Sequence, residues 1–349
     1  LDDMAEQLKQ MQRSGGMSGV LGRMPGVGKL KAQIADANLD DRILTRQHAI
    51  NAVRALLIVL LAVAMATTPG FFSAPSIIAT LDYASLIGLV AIGMAFVTIS
   101  GNIMSLALSA TMATCGEIFL LASGLGMWTA IAIALAAGVV ITGVQGFIIG
   151  IIRANPIIVT IAAFALLHGI VSALTGGARA YPDPAAEYSL LRARVGMVQA
   201  PLIVFAAGAV AAQLLLTFTR FGRNLFLVGS NFRAAEAAGI VTWRTISIAY
   251  CVAGLYTAFA GIMAAARYQT ADLELGAGYD YEAIAAVLIG GIAIQGGMGS
   301  AWRVVIGAVV FAAAGTLLVL RGYSTEMQRL LTGVLIFCVV CLQTGGAKR

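Results

Sequence analysis

Charge is what this sequence has little of. Of its 349 residues only 11% are Asp, Glu, Lys or Arg, while 60% are hydrophobic. Ordinary soluble domains carry about 25% charged residues. With a mean hydropathy of +0.91, a soluble fold would have nowhere to put so much apolar surface, so the chain reads as a polytopic membrane protein. Histidine is scarcer still: His48 and His168 are the only two. That argues against an imidazole metal cluster and against a Ser-His-Asp enzyme, and no metal site is expected. The four cysteines, Cys115, Cys251, Cys338 and Cys341, all lie in apolar runs. Cys338-Val-Val-Cys341 has redox spacing, but it has no second pair and no histidine nearby, so the four read as small buried hydrophobes. The net charge of +6 reads as the arginine bias of loops on one side of a membrane, not as a nucleic-acid footprint.

One compositional boundary is clear. Residues 1–50 are polar, Met-rich and Gly-rich and hold Lys9, Arg13, Arg23, Lys29, Lys31, Arg42 and Arg46; residues 51–349 are almost continuously hydrophobic. Length and breaker residues predict about ten spans after the boundary. They lie near 51–67, 83–99, 105–124, 127–152, 156–175, 200–218, 244–266, 282–295, 301–320 and 328–344. The expected fold is an all-α membrane bundle with broken or short helices lining a central path.

Loop charge sets the expected orientation. With the N-terminus cytoplasmic, the inner loops and tail hold Arg153, Arg220, Arg223, Arg233, Arg244, Arg303, Lys348 and Arg349 against one acid, Glu236. The outer loops hold Arg179, Arg192, Arg194, Arg267 and Arg321, with Asp82, Asp183, Glu187, Asp272, Glu274, Asp280, Glu282 and Glu326. Both termini are therefore expected inside.

Two segments carry the functional signal. Asp280–Ser300 is apolar yet too short to cross a bilayer comfortably, and it holds Gly290, Gly291, Gly296, Gly297 and Gly299. Irregular backbone at membrane depth survives only where it faces protein or a water-filled path, which points to transport. In the longest inner loop, 219–243, Asn231-Phe-Arg-Ala-Ala-Glu-Ala-Ala-Gly-Ile240 reads as a short helix. Asn231 can cap its start and Gly239 can end it, and its alanine-rich face suits close packing against a partner.

The chain resembles the ribose/xylose-type sugar ABC-transporter permeases over roughly residues 51–349. The matching pieces are Pro69-Gly-Phe-Phe-Ser73, Gly93-Met-Ala-Phe-Val-Thr-Ile-Ser-Gly101, Arg153-Ala-Asn-Pro-Ile-Ile-Val-Thr160, Gly222-Arg-Asn224, Gly229-Ser-Asn231 through Ala238-Gly-Ile240, Ala283-Ile-Ala-Ala-Val-Leu-Ile-Gly-Gly291 and Gly296-Gly-Met-Gly-Ser300, in that order. The resemblance implies an inner-membrane subunit of a bacterial importer for a sugar or polyol, paired with a second permease copy as a homodimer or with a sister permease as a heterodimer. It further implies cytoplasmic ATPase subunits that bind ATP and magnesium, and a substrate-binding protein outside; this chain itself needs no cofactor. It makes Gly229, Asn231, Arg233, Ala234, Ala235, Glu236 and Gly239 the coupling element. One stretch departs: where the family has Gly-Gly-Ile-Asp-Leu-Ser, this chain reads Ser100-Gly-Asn-Ile-Met-Ser-Leu106. The absent aspartate points away from a common pentose. Residues 1–50 resemble part of the M domain of the signal recognition particle GTPase, up to the flexible finger loop. A junction brought in by gene fusion or by a gene-prediction error explains that stretch more simply than a signal-binding role. Gly-Val-Gly-Lys29 fails as a phosphate loop, because Arg23 and Leu30 break the pattern.

Polar residues at membrane depth are the candidate path residues: Asn102, Ser105 and Ser109 at the break after the second span, Glu117 in mid-span, His168 and Gln295. Capping explains the first three more simply than substrate contact does, and helix packing explains His168 and Gln295 more simply; Glu117 divides evenly between the two. Gly146-Phe-Ile-Ile-Gly150 predicts close helix contact. Competing readings are an ATP-independent channel or secondary carrier, an amino-acid permease of related architecture, and a membrane-anchored signal-binding protein.

Overall fold

A computed structural model describes residues 65, 67–184, 188–195, 198–324, 326–334 and 337. The chain divides into two compact units, 1–53 with 344–349 and 54–343, and every described residue belongs to the second. The expected segment 1–50, the pair Cys338 and Cys341, the first span at 51–67 (Met65 and Thr67 excepted) and most of the last at 328–344 lie outside the described residues.

The described chain is all-α apart from one small hairpin. Its helices are α1 (Ala74–Ile99), α2 (Leu108–Leu121), α3 (Met127–Ile152), α4 (Pro156–Thr175), α5 (Ala200–Phe218), α6 (Arg220–Ser230), α7 (Phe232–Ala237), α8 (Thr242–Tyr268), α9 (Tyr279–Ile289) and α10 (Ala301–Leu320). A further helical stretch covers 326–334. The hairpin pairs β1 (Arg194–Val195) with β2 (Val198–Gln199).

Six helices, not ten, are long and apolar enough to cross a membrane among the described residues: α1, α3, α4, α5, α8 and α10. Two expected spans fall short for a physical reason. At 1.5 Å per residue, α2 and α9 reach only about 21 and 16 Å of a roughly 30 Å hydrocarbon core. The chain before α2 leaves helical geometry at Gly101, φ +83°, and stays irregular to Ala107; α9 starts behind Gly276 and Gly278, both with positive φ, and stops at Gly290–Gly291, where Gly291 holds φ +78°.

The order of elements repeats. A long helix, an unwound stretch, a half-helix and a long helix occur as α1, 100–107, α2, α3 and again as α8, 269–278, α9, α10. The repeats interlock: α8 packs against α3 and α2, whereas α1 packs against α10 and α9. α1 and α8 touch at the centre, where a methyl on Gly93 would come within 2.8 Å of the Ala253 carbonyl. Small residues permit this closeness. Gly146 lies against Tyr250 and Gly150 against Trp243, so the expected close helix contact is present. Asp82, read from sequence as a loop acid, instead sits buried within α1 and pairs with Arg267 at 3.4 Å.

Candidate functional site

The two half-helices meet end to end. Ala107 at the start of α2 offers no side-chain cap. The carboxylate of Asp280, in the first turn of α9, takes that role across 171 residues of sequence. Its Oδ1 accepts from the Ser109 amide at 2.8 Å, its Oδ2 accepts from Ser109 Oγ, and the Leu108 amide is also within hydrogen-bonding reach. A helix N-terminus presents orphan N–H donors and partial positive charge. A buried carboxylate answers both, and 95% of Asp280 is shielded from solvent. Sequence reading placed Asp280 among outer-loop acids; the acid pair Asp280 and Glu282, two apart and just before an apolar run, was the available signal.

A second junction lies where α1 ends. Three backbones approach there: Ile99–Gly101, Gly229–Ser230 at the end of α6, and Gly296–Gly297 in the loop after α9. The Gly297 amide donates to the Ile99 carbonyl at 3.0 Å. A methyl on Gly229 would come within 1.9 Å of that same oxygen, and one on Gly297 within 2.7 Å of Ser230. Gly296 and Gly297 hold φ of +81° and +73°. Gly290 lies tight against Arg303 and Gly299 against Ile99. The glycine cluster therefore joins the broken-helix loop to the segment that leads into α7.

α7 forms as its sequence requires. Asn231 Oδ1 accepts from the Ala234 amide at 3.0 Å, and Gly239 ends the helix at φ +79°. Ala235 is buried; Arg233, Ala234, Glu236 and Gly239 face outward. Glu236 accepts from Arg153, whose guanidinium lies 4.8 Å over Phe232. Arg153 itself holds φ +56° at the end of α3. A cavity of about 530 Å³ opens beside this contact, lined by Asn102, Arg153, Asn155, Gly229 and Phe232 among others.

The candidate path residues do not form one cluster. Ser105 and Ser109 lie at the start of α2, with Ser105 Oγ accepting from the Ala107 amide. Asn102 donates to Ser100 Oγ at 2.8 Å beside the Gly229–Ser230 segment, and exposed Gln295 sits in the loop that joins that segment. Glu117 is buried in α2, its Oε1 without a hydrogen-bond partner among the described residues. His168 packs its ring 4.4 Å from Phe164 on α4.

A second cavity, of about 900 Å³, lies at the opposite end of the bundle, between α1, α9, α10 and 326–334. Tyr83 donates to Glu282 Oε1 there at 2.7 Å.

Residues 76–340 match the family model described as branched-chain amino acid transport system / permease component. Residues 1–52 match the model of a signal peptide binding domain. The ribose import permease protein of Escherichia coli K12 is 30% identical over 290 residues, covering 81% of this chain and 90% of the relative. The L-arabinose transport system permease protein of the same strain is 28% identical over 258 residues, covering 73% and 78%. The galactose/methyl galactoside import permease protein of Haemophilus influenzae is 28% identical over 315 residues, covering 84% and 94%. No solved structure matches. These relatives are transport subunits, not enzymes, and with a family model spanning most of its length and an interlocked bundle of apolar helices, this chain belongs to the branched-chain amino acid transport system / permease component family of multi-pass membrane proteins.

Proposed function

We propose that this chain is the permease subunit of a binding-protein-dependent ABC importer that carries a sugar across a bacterial inner membrane. The observation that carries the reading is that relatives named for ribose, arabinose and galactose import align along 73–84% of the chain. The family is named for branched-chain amino acids, but these relatives favour a sugar.

Several features support the mechanism. α7 offers an outward face of Arg233, Ala234 and Glu236, held in place by Arg153. A cytoplasmic ATPase that binds ATP and magnesium docks on this face. The glycine junction then passes its motion to the loop after α9, and the bundle rocks between inward-open and outward-open states. Arg220, Arg223, Arg244 and Arg303 lie in the first turns of α6, α8 and α10 at the same end as α7, which supports placing that end in the cytoplasm. The substrate-binding protein docks at the other end, which includes 176–184 and 188–195. α4 is largely uncovered and carries Ala165, Gly169 and Ala173 at four-residue spacing, a surface suited to a second permease copy.

The test is ATP hydrolysis by the cognate ATPase in liposomes with the intact chain or with Gly239→Pro. Proline cannot adopt the positive φ of Gly239. Binding-protein-stimulated hydrolysis with the intact chain and not with the variant supports the reading. Hydrolysis that never responds to this chain sinks it in favour of an ATP-independent carrier.

A further inference from the structure

We propose that the cavity between α1, α9, α10 and 326–334 is a monosaccharide-binding site within a single permease subunit, with the Glu282 carboxylate as its hydroxyl acceptor and Tyr281 as its ring-stacking wall. The inference rests on the sugar-importer reading and adds to it a place and a chemistry.

The volume, about 900 Å³, falls within the roughly 300–1,000 Å³ of small-molecule sites. The lining has the mixture such sites use. Phe311, Leu317 and Leu318 supply apolar wall, and a few polar groups converge on it: Glu274, Glu282, Gln328 and Arg329. Glu282 is the informative residue. Its Oε1 is held by the Tyr83 hydroxyl. Its Oε2 is buried and accepts no hydrogen bond among the described residues. A buried carboxylate oxygen left without a donor is costly, and Glu282 lines a space large enough to bring one. The Tyr83 contact fixes the side chain, so the carboxylate is presented in one orientation.

A neutral polyol suits this geometry. Vicinal hydroxyls can donate to Oε2 while Gln328 and Arg329 donate to ring and hydroxyl oxygens. Tyr281 is 60% exposed and can cover the C–H face of a pyranose or furanose with its ring, as amphipathic aromatics do. The site does not resemble a metal centre: no group of three His, Cys, Asp or Glu that could hold an ion occurs among the described residues. The cavity lies at the end away from α7, where the reading above places solute arrival.

The test uses the full chain in lipid nanodiscs and saturation-transfer NMR with D-ribose, L-arabinose and D-galactose, each alone, and glycerol as the non-cyclic control. Transfer to at least one sugar above glycerol is expected, with binding about tenfold weaker or more in Glu282→Gln, the loss of one hydrogen bond to a charged acceptor. Tyr281→Ala, which alters an exposed ring, should weaken it as well and decides the matter if Glu282→Gln does not fold. No transfer above glycerol for any sugar, or binding unchanged in both variants, overturns the proposal. Coupled ATP hydrolysis on the same preparation separates the two ideas. Coupling without a cavity effect leaves the importer and removes the site; a cavity effect without coupling does the reverse.

Discussion

Replacing Asp280 by alanine should open the start of α2 and little else. The substitution removes both oxygens that receive the Ser109 amide and hydroxyl and face the Leu108 amide. Those donors lie inside the bundle, with Leu108 fully buried and Ser109 nearly so. Hydrogen bonds to a charged partner contribute about 1.5–3 kcal/mol each, and a helix cap about 1 kcal/mol. The terms overlap because one carboxylate serves them all, so about 3 kcal/mol is the expected local loss. That corresponds to roughly a hundredfold faster amide exchange where local opening governs it. Hydrogen-exchange mass spectrometry in nanodiscs reads this directly. Peptides covering Leu108–Thr111 should lose protection by that factor in Asp280→Ala and several-fold in Ser109→Ala, which forfeits one hydroxyl donor. Peptides covering 253–261 in α8 should hardly change. Unchanged exchange at 108–111, or equal loss in α8, would refute the clasp between the half-helices.

Other substitutions report on other contacts. Gly229→Ala drives a methyl to 1.9 Å from the Ile99 carbonyl; overpacking of this kind costs about 1–3 kcal/mol, and the expected result is a lower unfolding midpoint with loss of coupled ATP hydrolysis. Gly146→Val presses on Tyr250 at the α3–α8 contact and should lower thermal stability while leaving exchange in α9 near its native rate. The Arg153–Glu236 pair is 62% and 38% exposed, so a double-mutant cycle should give a coupling of about 0.5 kcal/mol or less even where each single change impairs ATPase stimulation. A chain beginning at Asn51 should insert and couple hydrolysis as the full chain does; dependence on residues 1–50 would tie transport to that segment.

Some of this architecture was legible in the residues. Asn231 before an alanine run and Gly239 after it define α7, because capping and termination are local chemistry. Glycine pairs at 290–291 and 296–297 mark the break after α9 for the same reason. The α2 segment was misread as a span, and 282–295 was counted as one even though its length and glycines marked it as short, because hydropathy alone does not distinguish a helix that crosses from one that stops where another begins. Asp280 escaped notice as a cap since its partner lies far away in sequence, and loop charge counting files any acid near a span end as solvated. Asp82 was misfiled on the same logic: its partner Arg267 comes from α8. Asn102, Gln295 and Glu117 looked alike as polar residues in apolar surroundings, yet packing brings the first two to the glycine junction at the end of α1 and leaves Glu117 buried within α2.

The clasp between α2 and α9 also sets a timetable for biosynthesis. The donors at Leu108 and Ser109 leave the ribosome 171 residues before their acceptor at Asp280. At 5–20 residues per second, that interval is about 10–30 s. Through it the first repeat waits in the bilayer with a helix start uncapped, and for most of it α8, the helix that covers α2 and α3, is not yet made. Folding of the first half is therefore held open until the second arrives, and a chain stopped before α9 keeps exposed the polar edge that the finished protein conceals.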